Sequence, residues 1–163
     1  MNKQRIRVGI IGTGGWARYG HIPVLQALND FEVVALAGRD KAKVQKYANE
    51  FGIGMAFGSA EELIAHPEID LVVVLTPTPD HGRLASAVIA AGKDVYSEWP
   101  LSTNTVQSEE ILAQANARGV KHIIGLQRRF SPAVRYLKDL VKDGYVGTLR
   151  SVRMSVGSTP SAR

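Results

Sequence analysis

The stretch Ile6-Arg7-Val8-Gly9-Ile10-Ile11-Gly12-Thr13-Gly14-Gly15-Trp16-Ala17 decides the fold. Ile6, Val8, Ile10 and Ile11 are mostly β-branched and apolar, as a strand buried on both faces requires. Gly12 permits a tight turn, Gly14 lets backbone approach a pyrophosphate, and Ala17 is small enough for a helix to pack on the strand. A helix-compatible stretch follows, whose N-terminus would offer free N–H groups and partial positive charge to phosphates. The pattern implies a dinucleotide site contacted by Gly12, Thr13, Gly14, Gly15 and Trp16. It leaves the chemistry open.

Composition narrows the classes that remain. At 163 residues, 45% hydrophobic and 21% charged, the chain has the size and balance of one globular domain with a real core. It has no cysteine, which excludes disulfides, thiolate metal sites and cysteine nucleophiles, and fits a cytoplasmic location. No candidate metal-ligand cluster stands out. No apolar run reaches the ~20 residues of a membrane span, and Met1-Asn2-Lys3-Gln4-Arg5 leads into a strand rather than a signal peptide. The net charge of +5 is dispersed, with small concentrations at 41–46, 128–129 and 150–153. Nucleic-acid binding would need basic residues clustered on one face, so attraction of a polyanionic cofactor is the more economical use of the excess.

Strand and helix signals alternate along the chain, the mark of an α/β domain with a parallel sheet. Strands are predicted at 6–11, 32–37, 55–57, 71–75, 94–97 and 121–126. Helices are predicted at 16–28, 41–51, 60–65, 81–91 and 106–118. Gly52, Gly92 and Gly119 stand where helix C-caps belong, and Ser59 with Glu62 resembles a capping box. The reading is a doubly wound, parallel-sheet Rossmann fold over residues 1–126. Residues 127–163 follow as a linking helix at 133–143, closed by Gly144, and a strand at 148–156. Val152, Met154 and Val156 would share one apolar face of that strand, with nothing in this chain to cover it. It should therefore belong to a second sheet or pair with another chain, giving a homo-oligomer.

The end of the second strand bears on which dinucleotide binds. A carboxylate expected there would hold the ribose 2′-OH of NAD. The chain instead reads Gly38-Arg39-Asp40. Glycine leaves room for a 2′-phosphate, and a guanidinium can hold phosphate bidentately and stack on adenine, so NADP(H) is favoured over NAD(H). The alternative is that Arg39 is a surface residue at a helix start, Asp40 is an N-cap, and NAD is accepted.

Two further loops lie at carboxyl ends of strands, where such sheets bind ligands. Thr76-Pro77-Thr78-Pro79-Asp80-His81 carries hydroxyls that can reach ribose or phosphate. Its plainer reading is a proline-stiffened turn, with Asp80 capping the next helix and His81 partly exposed. Glu98-Trp99-Pro100-Leu101 offers a carboxylate and an indole to the nicotinamide half. Its plainer reading is a structural turn with a buried tryptophan.

In this order the motifs resemble the Gfo/Idh/MocA oxidoreductase family. The matching residues are Gly12–Ala17, His21-Ile22-Pro23, Thr76-Pro77-Thr78 with His81, Ala91-Gly92-Lys93 and Glu98-Trp99-Pro100-Leu101. Gln127-Arg128-Arg129-Phe130-Ser131-Pro132 and Gly144-Tyr145-Val146-Gly147 extend the match over residues 5–157. The resemblance implies an NAD(P)-binding domain followed by an α/β domain that carries substrate and much of an oligomer interface. It places Thr76, Pro77, Thr78, His81, Glu98, Trp99, Gln127 and Arg128 beside the fingerprint, Gly38 and Arg39 as cofactor contacts. It implies hydride transfer between nicotinamide and a sugar- or cyclitol-like hydroxyl or carbonyl in the intact protein.

Two departures from the family pattern qualify that implication. The family's usual Glu-Lys-Pro is Glu98-Trp99-Pro100 here, and an indole cannot act as general acid or base. The Glu-Trp pairing is similar to a branch that includes the yeast galactose-pathway co-repressors. The family's catalytic histidine and its acidic partner also belong to the C-terminal domain, so no catalytic residue is assigned and the chain is expected to be a fragment. A small-molecule substrate is expected only where a second domain is present. A dinucleotide-sensing regulatory module is the alternative, and a nonfunctional remnant a third.

Overall fold

The computed structural model describes residues 4–155. Six strands form one parallel sheet: β1 (Ile6–Ile11), β2 (Phe31–Ala37), β3 (Met55–Phe57), β4 (Leu71–Val74), β5 (Asp94–Glu98) and β6 (His122–Gly125). Their order is β3-β2-β1-β4-β5-β6. The order reverses between β1 and β4, which opens a crevice at the carboxyl ends of those two strands.

The two faces are covered by different helices, because the strands present apolar side chains to both. On one face α1 (Ile22–Ala27) and α2 (Lys41–Phe51) bury Ile22, Val44 and Ala48 against Val8, Ile10, Leu36 and Val73. On the other, α3 (Ala60–Ala65), α4 (Thr78–Ala90) and α5 (Thr105–Arg118) bury Leu63, Leu84, Val88 and Ile111 against Ile11, Val72, Val74 and Val95. One irregularity interrupts the β1–β2 register, where the partner of Val8 is Val33 but that of Gly9 is Ala35. The skipped Val34 lets Val33 and Leu36 face one core while Ala35 and Ala37 face the other.

Helix ends follow the expected chemistry. Asp40, Ser59 and Asn104 each accept a bond from the backbone N–H three residues on. Glu62 completes its motif by accepting from the N–H of Gly58 rather than from that of Ser59. Gly52 and Gly119 end α2 and α5 with φ of +67°.

The amino ends of the strands are tied by charge. Arg7 donates to Asp70 from its backbone N–H (2.9 Å), Nε (3.1 Å) and Nη2 (2.9 Å), and Asp70 N–H donates to Arg7 O. Lys93 Nζ donates to the carbonyls of His66 (2.8 Å) and Ile69 (2.6 Å), closing the turn that leads into β4. Burial holds the Lys93 ammonium below the usual lysine range, with Asp70 opposing that shift. These contacts sit at the end of the sheet remote from the crevice, where they serve stability.

Two expectations are corrected. α4 begins at Thr78 with Pro77 as its N-cap, so Asp80 lies within the first turn instead of capping the helix. The dipeptide Pro77-Thr78 with Pro79 starts the helix early because proline's fixed φ suits its first positions. The expected strand at 148–156 is absent among the described residues, since 148–155 are irregular and Val156 lies outside them. Val152 and Met154 are each 70% exposed, as an apolar strand face must be when no neighbour offers it ladder bonds.

The chain divides into two compact units, 1–125 and 126–163. Within the second, a 3₁₀ turn (Gln127–Phe130) leads to α6 (Pro132–Lys142), whose N-cap Ser131 accepts from Val134 N–H. Val134, Leu137 and Val141 recur at helical spacing along one stripe of α6.

The Arg7 guanidinium holds the Asp70 carboxyl below the usual carboxylate range, chiefly through their hydrogen bonds. A depressed folded-state value stabilises the fold above the unfolded value, about 3.9, and that contribution is lost as pH falls through the folded value. Asp70→Asn should therefore lower Tm at pH 7, and its gap to wild type should close as the pH is taken below about 4. An unchanged Tm at pH 7 would contradict the assignment.

Candidate functional site

The crevice is built by backbone before any side chain enters it. Gly12 N–H donates to Ala37 O (2.9 Å) and Leu75 N–H to Ile11 O (2.9 Å), carrying sheet pairing to the rim. Gly12 has φ of +114°, and a Cβ there would lie 2.8 Å from Leu75 O. Glycine is thus required twice, by its conformation and by the approach of the β4 end.

Gly14 and Gly15 differ from Gly12. A Cβ on Gly14 meets nothing within 4 Å, and one on Gly15 meets only Tyr19 Cδ2 at 3.9 Å. Neither glycine is needed by the protein's own packing. The open space over this turn is the kind of cradle that a pyrophosphate fills, and helical backbone starts at Gly15 with its N–H groups facing that end.

The helix does not run regularly from there. Residues Ala17–His21 form one π-helical turn, in which Ile22 N–H donates to Ala17 O. The wider turn separates the expected helix at 16–28 into two parts and aims His21 at β5. His21 Nε2 lies 2.9 Å from Glu98 Oε1, and the Tyr96 hydroxyl donates to the same oxygen at 3.3 Å. The His21 and Tyr96 rings meet edge-on at 5.4 Å. A Cβ on Gly125 would overlap the Tyr96 hydroxyl, so the glycine that ends β6 makes room for the group. Burial, with the Glu98 charge added, pushes the Tyr96 phenol up to about 12.

At the end of β2, Arg39 is exposed and makes no ion pair among the described residues. Asp40 caps α2 through a 3.0 Å bond from Lys43 N–H to its Oδ1. A Cβ on Gly38 would sit 3.1 Å from Val44 Cγ2 and 3.6 Å from Thr13 Oγ1. Packing therefore accounts for part of the need for glycine at 38, which sequence reading had given wholly to the ligand.

The β4 and β5 loops close the opposite side. Thr76 Oγ1 is buried without a hydrogen-bond partner among the described residues, an orphan that a bound polar ligand could satisfy. Thr78 opens α4 and Pro77 is exposed. His81 is 2% exposed, contrary to its reading as partly exposed, and both ring nitrogens face backbone carbonyls. It holds loops together and presents no atom to the crevice. Trp99 is 67% exposed, which overturns its reading as a buried indole, and Trp16 and Tyr19 are also exposed. Gln127 and Arg128 lie in the second unit, in its 3₁₀ turn, and are exposed.

The first unit therefore brings together the glycine turn, the β2 end, Thr76, Thr78, Glu98 and Trp99. A dinucleotide fits this donor set: a glycine cradle at a helix start, an orphaned hydroxyl, an exposed guanidinium and a flanking indole. Sequence reading missed His21 and Tyr96 as parts of the site. The His-Ile-Pro run after the fingerprint was a signal for His21, but its partner lies 77 residues away.

The family model described as "Oxidoreductase family, NAD-binding Rossmann fold" matches residues 6–126. The chain belongs to the Gfo/Idh/MocA oxidoreductase family. It is an NAD(P)-binding oxidoreductase domain. It is 33% identical over 162 residues to dehydrogenase aclE of Aspergillus oryzae, covering 94% of this chain and 44% of that protein. It is 37% identical over 138 residues to trans-1,2-dihydrobenzene-1,2-diol dehydrogenase of Oryctolagus cuniculus, covering 83% and 42%. Among solved structures, a 3-ketoreductase of Actinomadura kijaniata (KijD10) in complex with NADP and TDP-benzene superposes with TM-score 0.81 at 30% identity, covering 86% and 43%. Apo scyllo-inositol dehydrogenase from Lactobacillus casei superposes with TM-score 0.80 at 25% identity, covering 90% and 44%. The chain spans less than half the length of the curated relatives it matches. Among the described residues, no helix is long and apolar enough to cross a membrane, and no cluster of His, Cys, Asp or Glu could hold a metal ion.

Two glycines two residues apart should respond differently to the same change. Gly12→Ala should destabilise the fold by about 1–3 kcal/mol in denaturant unfolding, from strain and the clash with Leu75 O. Gly14→Ala should fold normally yet weaken dinucleotide binding, because its Cβ enters only the cradle. Equal loss of stability in both would contradict this. Separately, the high-pH ultraviolet titration assigned to Tyr96 by Tyr96→Phe subtraction should move down in Glu98→Gln; an unmoved midpoint would remove Glu98 as a cause.

Proposed function

We propose that the first unit binds NADP(H), and that in the intact protein this domain serves hydride transfer to or from a sugar- or cyclitol-like hydroxyl or carbonyl carbon. One observation carries the preference for the phosphorylated cofactor. At the β2 end Asp40 engages Oδ1 in capping α2, while the adjacent Arg39 is exposed and makes no ion pair among the described residues. An NAD ribose would want a free acceptor there, and a 2′-phosphate wants a cation.

In this reading Gly12, Thr13, Gly14, Gly15 and Trp16 cradle the pyrophosphate, and Gly38 and Arg39 face the adenosine end. Thr76, Pro77 and Thr78 line the nicotinamide ribose with Glu98, and Trp99 walls the nicotinamide pocket. The bound cofactor would supply or accept the hydride, and the chain's part is to hold and orient it. His21 and Tyr96 fix the Glu98 carboxylate at the rim, so that its orientation is set before anything binds.

The substrate class is supported by the relatives, whose names include a dihydrodiol dehydrogenase, a 3-ketoreductase and an inositol dehydrogenase. They also support an oxidoreductase over a purely regulatory module. Trp99 leaves the β5 loop without an amine for proton transfer.

Quenching of Trp16 and Trp99 fluorescence by NADPH and NADH tests the preference. NADPH should bind about tenfold or more tightly than NADH, a difference of about 1.4 kcal/mol, and Arg39→Ala should abolish the gap by weakening NADPH alone. Equal affinities in the wild-type chain would overturn it.

A further inference from the structure

Arg18 stands in the π-helical turn that follows the glycine cradle, and it is held by both its backbone and its side chain. Its backbone N–H donates to Gly14 O at 3.2 Å, the bond that closes the cradle into helix. Its guanidinium reaches the last turn of α2, where Nε (3.0 Å) and Nη2 (2.8 Å) both donate to Glu50 Oε1. Nη1 donates to the Tyr19 hydroxyl at 3.1 Å. The Tyr47 ring of α2 lies beside the same guanidinium, its centroid 5.6 Å from Cζ, a cation–π distance. One residue thereby joins the backbone of the cradle to the helix that follows β2.

Neither helix explains its own charge. Glu50 stands in the last turn of α2, where exposed carbonyl ends disfavour a carboxylate. Arg18 stands close to the start of the helical backbone at Gly15, where exposed N–H groups disfavour a cation. Each charge is misplaced for its own element and well placed for the other. The two side chains are 36% and 33% exposed, and a pair so open to solvent contributes little to global stability. Its effect is local, on the backbone that Arg18 closes. Gly14 and Gly15 give that backbone more freedom to lose on binding than any other residue type would, and their own packing does not restrain it.

We infer that Arg18 is a positioning residue: anchored on Glu50 and Tyr47, it holds the Gly14–Trp16 backbone in its binding form before a dinucleotide arrives. The inference rests on the dinucleotide site proposed above. All three guanidinium nitrogens already have protein partners, so Arg18 acts through the turn and not by touching a phosphate. The choice between NADPH and NADH stays with the β2 end.

The test compares wild type, Arg18→Met, Glu50→Ala and the double variant. None of these changes removes a buried side chain, so all are expected to fold. In calorimetric titrations each single variant should bind NADPH and NADH about fivefold more weakly, with their ratio unchanged. The double variant should be no weaker than either single one, because both remove the same contact. A loss in Arg18→Met with none in Glu50→Ala would make Arg18 a direct phosphate contact and overturn the positioning role. Additive losses, or unchanged affinity in both single variants, would also overturn it. Amide exchange without cofactor supplies a readout that general destabilisation would not reproduce. The amides of residues 15–18 should exchange faster in either single variant, while those of β1 and β4 keep their wild-type rates. Unchanged exchange in the turn, or faster exchange throughout the sheet, would contradict the inference. Failure of the wild-type chain to bind either dinucleotide would overturn the cofactor reading, and exchange in the turn would still decide whether Arg18 holds it.

Discussion

The structure depends on the absence of one Cβ. Gly12 ends β1 with a positive φ and lies so close to the β4 end that a Cβ would sit 2.8 Å from Leu75 O. That approach brings the glycine turn, the start of the first helix and the β4 loop to one rim. It occurs where the strand order reverses, between β1 and β4, so the space it leaves is open to a ligand. The remaining parts of the site take their positions from this contact. Gly38 packs against Thr13 of the turn, and the π-helical turn beyond it carries His21 to Glu98.

The two ends of the sheet have divided labour. At the amino ends, Arg7, Asp70 and Lys93 tie β1 and β4 through charged hydrogen bonds. At the carboxyl ends, charged and polar side chains engage each other or backbone in ways that fix loops: His21 with Glu98 and Tyr96, His81 with two carbonyls, Asp40 with α2. The groups left over there, among the described residues, are Arg39, exposed and without an ion pair, and Thr76 Oγ1, buried and without a hydrogen-bond partner. A site made ready in this way needs little reorganisation when a ligand arrives.

Much of this was legible in the sequence because it rests on local rules. Apolar β-branched runs, glycine C-caps and the Ser59–Glu62 box located every strand of the sheet and most helix ends to within a few residues. The glycine fingerprint gave the cofactor class. Non-local facts were not legible. His21 finds Glu98 across 77 residues, and only the packed sheet shows that His81 is buried between two loops. Gly38 read as room for phosphate, whereas a Cβ there would also crowd Val44 Cγ2 at 3.1 Å. The strand expected at 148–156 shows the converse: a local pattern with alternating Val152 and Met154 makes no strand when no neighbouring strand supplies partners.

A dinucleotide in the crevice between the glycine turn and the β4 loop would shield the backbone that it touches. Amide hydrogen exchange of the chain with and without NADPH tests it most directly. A dinucleotide bound there should add protection over Gly12–Ala17, around Arg39 and over Thr76–His81, with none over Arg7 and Asp70 at the far end of the sheet. Protection absent from the glycine turn, or confined to the far end, would contradict it.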